Sequence, residues 1–185
     1  NFYLRALWGR DFFLRPTGAD VADYRPYLEH RILQLPDALD NYGDIPGLEV
    51  YRATAAHMAS HMIYSSEPIS AEQLSPAQMF FIGMLEDARI EYKASSAFPG
   101  LKTLWLAIMQ VPGEEEVEHP TMPILAHFAQ MLLDRNISSD DEALNALARK
   151  FHDDIEEKQD DNNFSWHMGL EVFNLFASRK EVPSL

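Results

Sequence analysis

The sequence predicts a mainly α protein of the α+β class, with about six helices and a small N-terminal β-hairpin. Prolines and glycines punctuate short apolar stretches up to Gly47, whereas longer stretches of helical composition follow. Helix-start signals then recur along the rest of the chain. We therefore expect one structural domain, in which residues 1–47 form a hairpin and loop element packed on a helical region of residues 48–185.

Two stretches in the N-terminal element are strand-like. Asp11–Arg15 and Tyr27–Leu35 are rich in apolar residues, and their separation suits a hairpin with a long loop. Asn1–Gly9 is either a helix end or a third short strand. Because an isolated hairpin is marginally stable in water, we expect these strands to lie against helices.

The helical region carries identifiable start signals. Ser75 and Gln78 form a predicted capping box with Pro76 at the first helical position, and Ser139 with Glu142 forms a second box. The breaker-free and capped segments give six predicted helices: Leu48–Tyr64, Ser75 to about Ser95, Leu101–Gln110, Met122–Arg135, Ser139 to about Lys158, and Phe164–Arg179.

Charge and composition exclude several classes of protein. The 29 acidic and 15 basic residues give a net charge of −14, which repels phosphate backbones and argues against nucleic-acid binding. No apolar run reaches the roughly 20 residues of a membrane span. The absence of cysteine excludes disulfides and thiolate metal sites. We expect a cytoplasmic protein, and the start at Asn1 without methionine suggests a piece of a longer one.

The sharpest local signal is the pair His57 and His61. Residues four apart project from one helix face, so two imidazoles can converge on a divalent metal such as zinc. Glu86 on the next helix is the candidate third ligand, as in a degenerate zincin-like arrangement. Met58 stands where an HExxH peptidase has its general base, and a thioether cannot accept a proton. The alternative is a helix contact in which both histidines bond to Glu86 or Asp87.

Other charged and aromatic groups have structural interpretations. Arg89 follows Glu86 by three positions, which favours an ion pair that also involves Glu91. The acidic segments Glu114–Glu118 and Asp153–Asp161 are interpreted as solvated faces, with docking to basic partners as the alternative. The spacing of the aromatic residues in the last helix is typical of core positions: Phe164, Trp166, Phe173 and Phe176.

Sequence motifs for nucleotide binding and for hydrolysis are missing. The chain contains no G-x-x-x-x-G-K-[ST] loop, no G-x-G-x-x-G and no G-x-S-x-G, and it has no thiol nucleophile. We therefore expect no catalytic residues and no cofactor, with a divalent metal as the alternative. Such a chain contributes through contact surfaces.

Six segments, taken in order, resemble the CbbO and NorD proteins, which carry a von Willebrand factor A domain. The resemblance is firmest over residues 6–105. Its segments are Ala6–Phe12, Ile32–Ala38, Tyr51–His57, Leu74–Gln78, Leu85–Glu91 and Phe98–Leu101.

This resemblance implies an adaptor for a MoxR-type AAA+ ATPase hexamer, CbbQ-like or NorQ-like. CbbO-like members serve in remodelling inhibited Rubisco, and NorD-like members in activating nitric oxide reductase. The family's D-x-S-x-S motif is absent here, so the chain would be the region upstream of the von Willebrand domain, with its target bound through the rest of the protein. We expect a non-catalytic CbbO-like adaptor, with a NorD-type protein or a degenerate metallopeptidase-like metal-binding domain as alternatives.

Overall fold

The computed structural model describes residues 2–17, 27–29, 32–65, 70, 72–111 and 120–183. Helices dominate the described residues, so the mainly α prediction is confirmed. The described residues form seven helices, which are α1 (Phe2–Trp8), α2 (Gly47–Tyr64), α3 (Pro76–Ala97), α4 (Pro99–Met109), α5 (Met122–Leu133), α6 (Glu142–Lys158) and α7 (Asn162–Arg179). The strands in the same described ranges are β1 (Phe13–Thr17), β2 (Tyr27–Glu29) and β3 (Ile32–Pro36).

The strands form one small sheet with the order β1-β3-β2. β2 and β3 pair antiparallel, so the hairpin lies within the stretch predicted as a single strand, Tyr27–Leu35. β1 pairs parallel with β3, with Phe13 opposite Ile32, and is not the hairpin partner that the spacing suggested. β2 and β3 are two residues apart in the sequence, a separation that is common between antiparallel neighbours. A parallel pair needs a longer connection, and the chain between β1 and β3 supplies it.

The structure divides into two compact units, the first comprising residues 1–64 and 94–111. In this unit the central strand lies against α2, and Leu33 and Leu35 share a core with Met58 and Ala59. Three consecutive residues of β3, Leu33, Gln34 and Leu35, are buried, and because side chains alternate along a strand, both faces are covered at these positions. The expectation that the sheet element packs on a helix is met here. The predicted boundary at residue 47 stays a prediction.

The second unit comprises residues 65–93 and 112–185 and has its own aromatic core. Phe81 and Leu85 from α3 pack with residues of α5, α6 and α7. The predicted core positions Phe164 and Phe176 are buried, and Phe173 packs against the same cluster. Trp166 is half-buried. The acidic segment Glu114–Glu118 lies outside the described residues.

Helix starts follow the predicted signals in one case and differ in another. The Ser75 hydroxyl accepts from the Gln78 amide at 3.2 Å, and the Gln78 side chain accepts from the Ser75 amide at 2.9 Å, which confirms that capping box. At α6 the cap is Asp141 and not Ser139. The Asp141 carboxylate accepts hydrogen bonds from the amides of Ala143 and Leu144. Its negative charge is also stabilised by the positive end of the helix dipole.

Within the described part of the chain, every helix is too short or too polar to span a lipid bilayer.

Asp141→Ala should lower the free energy of unfolding by about 1 kcal/mol at pH 6, because the start of α6 loses its acceptor. Hydrogen bonds from Arg179 and from the Leu144 and Ala143 amides lower the pKa of Asp141 to about 2. Because folding lowers this pKa, the ionised carboxylate stabilises the folded state fully at pH values above the unfolded pKa of 3.8. This stabilisation is lost as the pH falls through the folded pKa of about 2.

The free energies of unfolding of the parent chain and of Asp141→Ala should therefore differ less at pH 2 than at pH 6. Urea unfolding followed by circular dichroism measures both. Asp141→Asn is the control, because its amide oxygen retains the cap while the charge is lost. A difference between Asp141→Ala and the parent that stays constant over this pH range would contradict the ionised-cap interpretation.

Candidate functional site

The two histidines predicted as ligands lie on one face of α2. The His57 and His61 ring centroids are 5.0 Å apart, with the ring planes at 77°. Both side chains are half-buried. Positions i and i+4 of a helix are neighbours, so this juxtaposition follows from the sequence spacing. The prediction that these imidazoles share a face is confirmed.

Within the first unit, α4 supplies the aromatic neighbour of this pair. The ring of Trp105 meets that of His57 edge-on, with centroids 6.2 Å apart. The Trp105 indole N–H donates to the Ala53 carbonyl oxygen at 3.1 Å. Ala53 and Ala56 are buried on α2, and such small residues let an indole approach the helix backbone. The α2–α4 contact therefore places the Trp105 indole beside the His57 ring.

Met58 occupies the position at which a peptidase of the HExxH type carries its general base. Its side chain is 7% exposed and belongs to the core shared with Leu33 and Leu35. A buried thioether neither accepts nor donates a proton in hydrolysis. The structure thus gives Met58 a packing role.

Glu86 is the centre of a largely buried polar cluster in the second unit. One carboxylate oxygen accepts from the Ser65 hydroxyl at 2.5 Å and from Arg89 Nη2 at 2.6 Å. The other accepts from Arg89 Nε at 2.8 Å and from the Ser165 hydroxyl at 2.7 Å. Arg89 thus binds the carboxylate with two parallel N–H donors, which is the strongest geometry for this pair. We call Glu86, Arg89, Ser65, Ser165 and Gln159 the Glu86 cluster.

The Arg89 side chain is fully buried and joins three segments of the second unit. Its Nη1 donates to the Gln159 carbonyl oxygen at 2.5 Å, at the C-terminal end of α6. Through Glu86 it is also linked to Ser165 on α7. A buried guanidinium requires such complete pairing, because desolvating an unpaired charge is costly. The predicted Glu86–Arg89 ion pair is confirmed, and Glu91 beside it is buried.

The protonation of Glu86 follows from two opposing effects. Burial raises its pKa, whereas hydrogen bonds from Arg89, Ser65 and Ser165, together with the charge of Arg89, lower it. The net direction is downward, so Glu86 is ionised at neutral pH. An ionised carboxylate that accepts from four donors is a structural anion in this unit.

The predicted ligand set is divided between the two units. His57 and His61 belong to the first unit, and Glu86 belongs to the second. A metal ion at Glu86 would have to displace at least one hydroxyl donor from a carboxylate whose two oxygens already accept hydrogen bonds. The metal site at His57, His61 and Glu86 stays a prediction.

Several members of the Glu86 cluster were not predicted from the sequence. Ser65 and Ser165 are 21 and 79 positions from Glu86, and Gln159 is 70 positions from Arg89. Serine and glutamine at such distances give no periodic or motif signal. Only the Glu86–Arg89 spacing pointed to the cluster.

Comparison with family models, with curated proteins and with solved structures gives no match to this chain. The resemblance to CbbO and NorD proteins therefore stays an expectation from the motifs.

Proposed function

We propose that the chain is a non-catalytic adaptor domain, of the CbbO type, that helps couple a MoxR-type AAA+ hexamer to Rubisco. What supports this is the acidic surface at the end of α6, together with the motif resemblance. An adaptor of this type works in the cytoplasm, where its ATPase and target enzyme reside. The alternative within the same class is a NorD-type adaptor for nitric oxide reductase.

The observation that carries the proposal is the exposure of acidic side chains around the C-terminal end of α6. Glu156, Glu157, Asp160 and Asp161 are all exposed. Asp161 caps α7 by accepting from the Asn163 amide at 2.9 Å, and Asp160 pairs with Lys93. We call these four residues the acidic end. Among the described residues, the side chains of Glu156 and Glu157 neither cap a helix nor form an ion pair.

The position of Glu156 and Glu157 is unfavourable for the helix itself. Both lie in the last turn of α6, at the negative end of the helix dipole, where acids cost on the order of 0.3–1 kcal/mol. Lys158 offsets part of this cost and bonds to Asp154 at 2.8 Å. Side chains that do not stabilise their own helix are suited to contact a basic partner surface. This electrostatic cost favours a docking role for the acidic end.

Removing the two charges should separate binding from stability. We expect Glu156→Gln/Glu157→Gln to weaken binding to the purified ATPase hexamer about tenfold at low salt, as charge complementarity is lost. The free energy of unfolding should stay equal or rise slightly, because the helix end improves. Biolayer interferometry with CbbQ-like and NorQ-like hexamers, run over a salt series, measures the first, and urea unfolding measures the second.

A matched control removes two charges from the first unit. Asp37→Asn/Asp40→Asn changes exposed acids outside α6 and should alter the affinity less than about threefold. Equal losses in both double variants would show a general field effect and count against a docking surface. The adaptor proposal itself fails if the chain is not retained at low salt by either hexamer while the full-length adaptor is.

Metal binding is the second candidate function, and the 5.0 Å separation of the His57 and His61 rings favours it. We expect a divalent ion such as zinc on these two imidazoles, with Glu86 as the third ligand that the sequence predicts. Such an ion would have a structural or sensing role, because Met58 replaces the base that hydrolysis requires.

Elemental analysis of protein purified without chelators tests this function. We expect stoichiometric zinc that falls at least about tenfold in His57→Ala, since a chelate loses one of its ligands. His167→Ala is the control, because His167 is exposed on α7. Glu86→Gln tests the predicted third ligand. Protein without metal, or equal loss in His167→Ala, would remove this function.

A further inference from the structure

A cavity of about 440 Å³ lies in the second unit, between the C-terminal end of α5 and the middle of α6. Met131, Ile137 and Ala148 give it an apolar side. This volume falls within the range of pockets that hold small molecules or one to two residues of a peptide. The sequence did not predict the cavity, because its walls come from two helices and the loop that joins them.

The polar side of this cavity is rich in cationic groups, although the chain carries a net charge of −14. Arg135 and Arg149 both line it, and Asp153 adds one negative charge, so the lining has a net positive charge even without His152. Arg135 has no ion-pair partner among the described residues. Two guanidinium groups beside an apolar wall match a carboxylate that carries an apolar side chain.

Arg149 is already engaged, but in a pair that exchanges easily. Its Nη2 lies 2.5 Å from a Glu142 carboxylate oxygen, with side chains 60% and 77% exposed. Exposed ion pairs of this kind contribute little, since water screens them. A ligand carboxylate that enters the cavity would therefore compete with Glu142 at little cost. The Arg149 guanidinium therefore lies at the cavity and is available to bind a ligand carboxylate.

His152 adds a fixed donor geometry to the same wall. Its Nε2 donates to the Met131 carbonyl oxygen at 2.8 Å, because a carbonyl can only accept. This bond connects α6 to the last turn of α5 and orients the ring. The other ring nitrogen, Nδ1, is then the atom at which His152 accepts or, when protonated, donates a further hydrogen bond.

We propose that this cavity binds an N-acylated amino-acid carboxylate with an apolar side chain. Arg135 and Arg149 bind the carboxylate, Asp153 accepts from the amide N–H, and the apolar wall takes the side chain. This chemistry has two sources, the C-terminal residue of a peptide and a free N-acyl amino acid. Each of the three lining groups Arg135, Arg149 and Asp153 then has one partner on the ligand.

Isothermal titration calorimetry of the 185-residue chain tests the proposal with N-acetyl-leucine, its amide, and acetyl-Ala-Ala-Ala-Leu as free acid and as amide. We expect each acid to bind at least about tenfold more tightly than its amide, because charge-assisted hydrogen bonds are lost in the amide. Arg135→Gln and Arg149→Gln should each reduce the affinity for the acids about tenfold. A peptide acid that binds about tenfold more tightly than N-acetyl-leucine identifies a protein C-terminus, and equal affinities identify the small molecule.

Arg5→Gln is the matched control, since Arg5 is an exposed arginine in the first unit that lies 3.8 Å from Asp11. It should leave the affinity unchanged. The proposal is overturned if acids and amides bind equally, if Arg5→Gln weakens binding as much as Arg149→Gln, or if none of the four probes binds at millimolar concentration.

Discussion

Arg89→Met should lower the free energy of unfolding by about 3–5 kcal/mol at neutral pH, the largest effect that we expect of any substitution here. The variant keeps most of the side-chain volume but removes every donor of the guanidinium. Glu86, whose side chain is 14% exposed, would remain as an ionised group without its counter-ion. The Gln159 carbonyl oxygen would lose a donor as well. Urea unfolding followed by circular dichroism measures the loss.

A double-mutant cycle shows whether this loss comes from the ion pair. Glu86→Gln should also destabilise, because it leaves Arg89 as the buried unpaired charge. Glu86→Gln/Arg89→Met removes both charges, and its loss should be smaller than the sum of the single losses by at least about 1 kcal/mol. Strictly additive losses would contradict the charge-pair explanation and leave only a packing effect.

The same pair predicts a pH dependence with a defined sign. Because folding lowers the pKa of Glu86 from its ordinary value of 4.5, the ionised carboxylate contributes its full stabilisation of the folded state above pH 4.5. This stabilisation is lost as the pH falls through the lower pKa of the folded state. The stability difference between the parent chain and Glu86→Gln should therefore shrink on acidification below about pH 4.5.

Gly169→Ala should lower the free energy of unfolding by about 2 kcal/mol, even though alanine is the better helix former. A Cβ at Gly169 on α7 would lie 2.6 Å from the Ile82 Cα and 2.8 Å from its amide nitrogen on α3. Both are backbone atoms, which cannot turn away as a side chain does. The two helices would have to separate in a close-packed core.

Gly83→Ala is the matched control on α3. A Cβ at Gly83 meets no atom within 4 Å, so the substitution should raise the stability by up to about 1 kcal/mol through helix propensity alone. The two variants should thus have opposite signs in the same denaturation experiment. If Gly169→Ala proved as stable as Gly83→Ala, α3 and α7 would have to lie farther apart than the 2.6 Å between the added Cβ and the Ile82 Cα indicates.

The features that the sequence predicted well are those set by residues a few positions apart. The helix start at Pro76 follows from the reciprocal bonds of Ser75 and Gln78. The shared face of His57 and His61 follows from helix geometry. The Glu86–Arg89 pair follows from the same rule, since its members are three positions apart.

Pairing between distant segments was decided by the tertiary structure. Periodicity identified strand-like stretches, but only packing against α2 selects β3 as the central strand, with β1 parallel and β2 antiparallel to it. The choice of Asp141 over Ser139 as the α6 cap is also tertiary, because Arg179 on α7 pairs with this carboxylate. Candidate caps two positions apart are not distinguished by sequence pattern alone.

The sequence by itself determined the helical class, the positions of most helices, the histidine face and the acidic character, because each depends on local spacing or on composition. Only the tertiary structure decided that Glu86 is bound by Ser65 and Ser165, that Gly169 lies against Ile82, and that Arg135 and Arg149 share a cavity. These arrangements depend on distances in space between residues far apart in the chain, and many different packings satisfy the same local pattern.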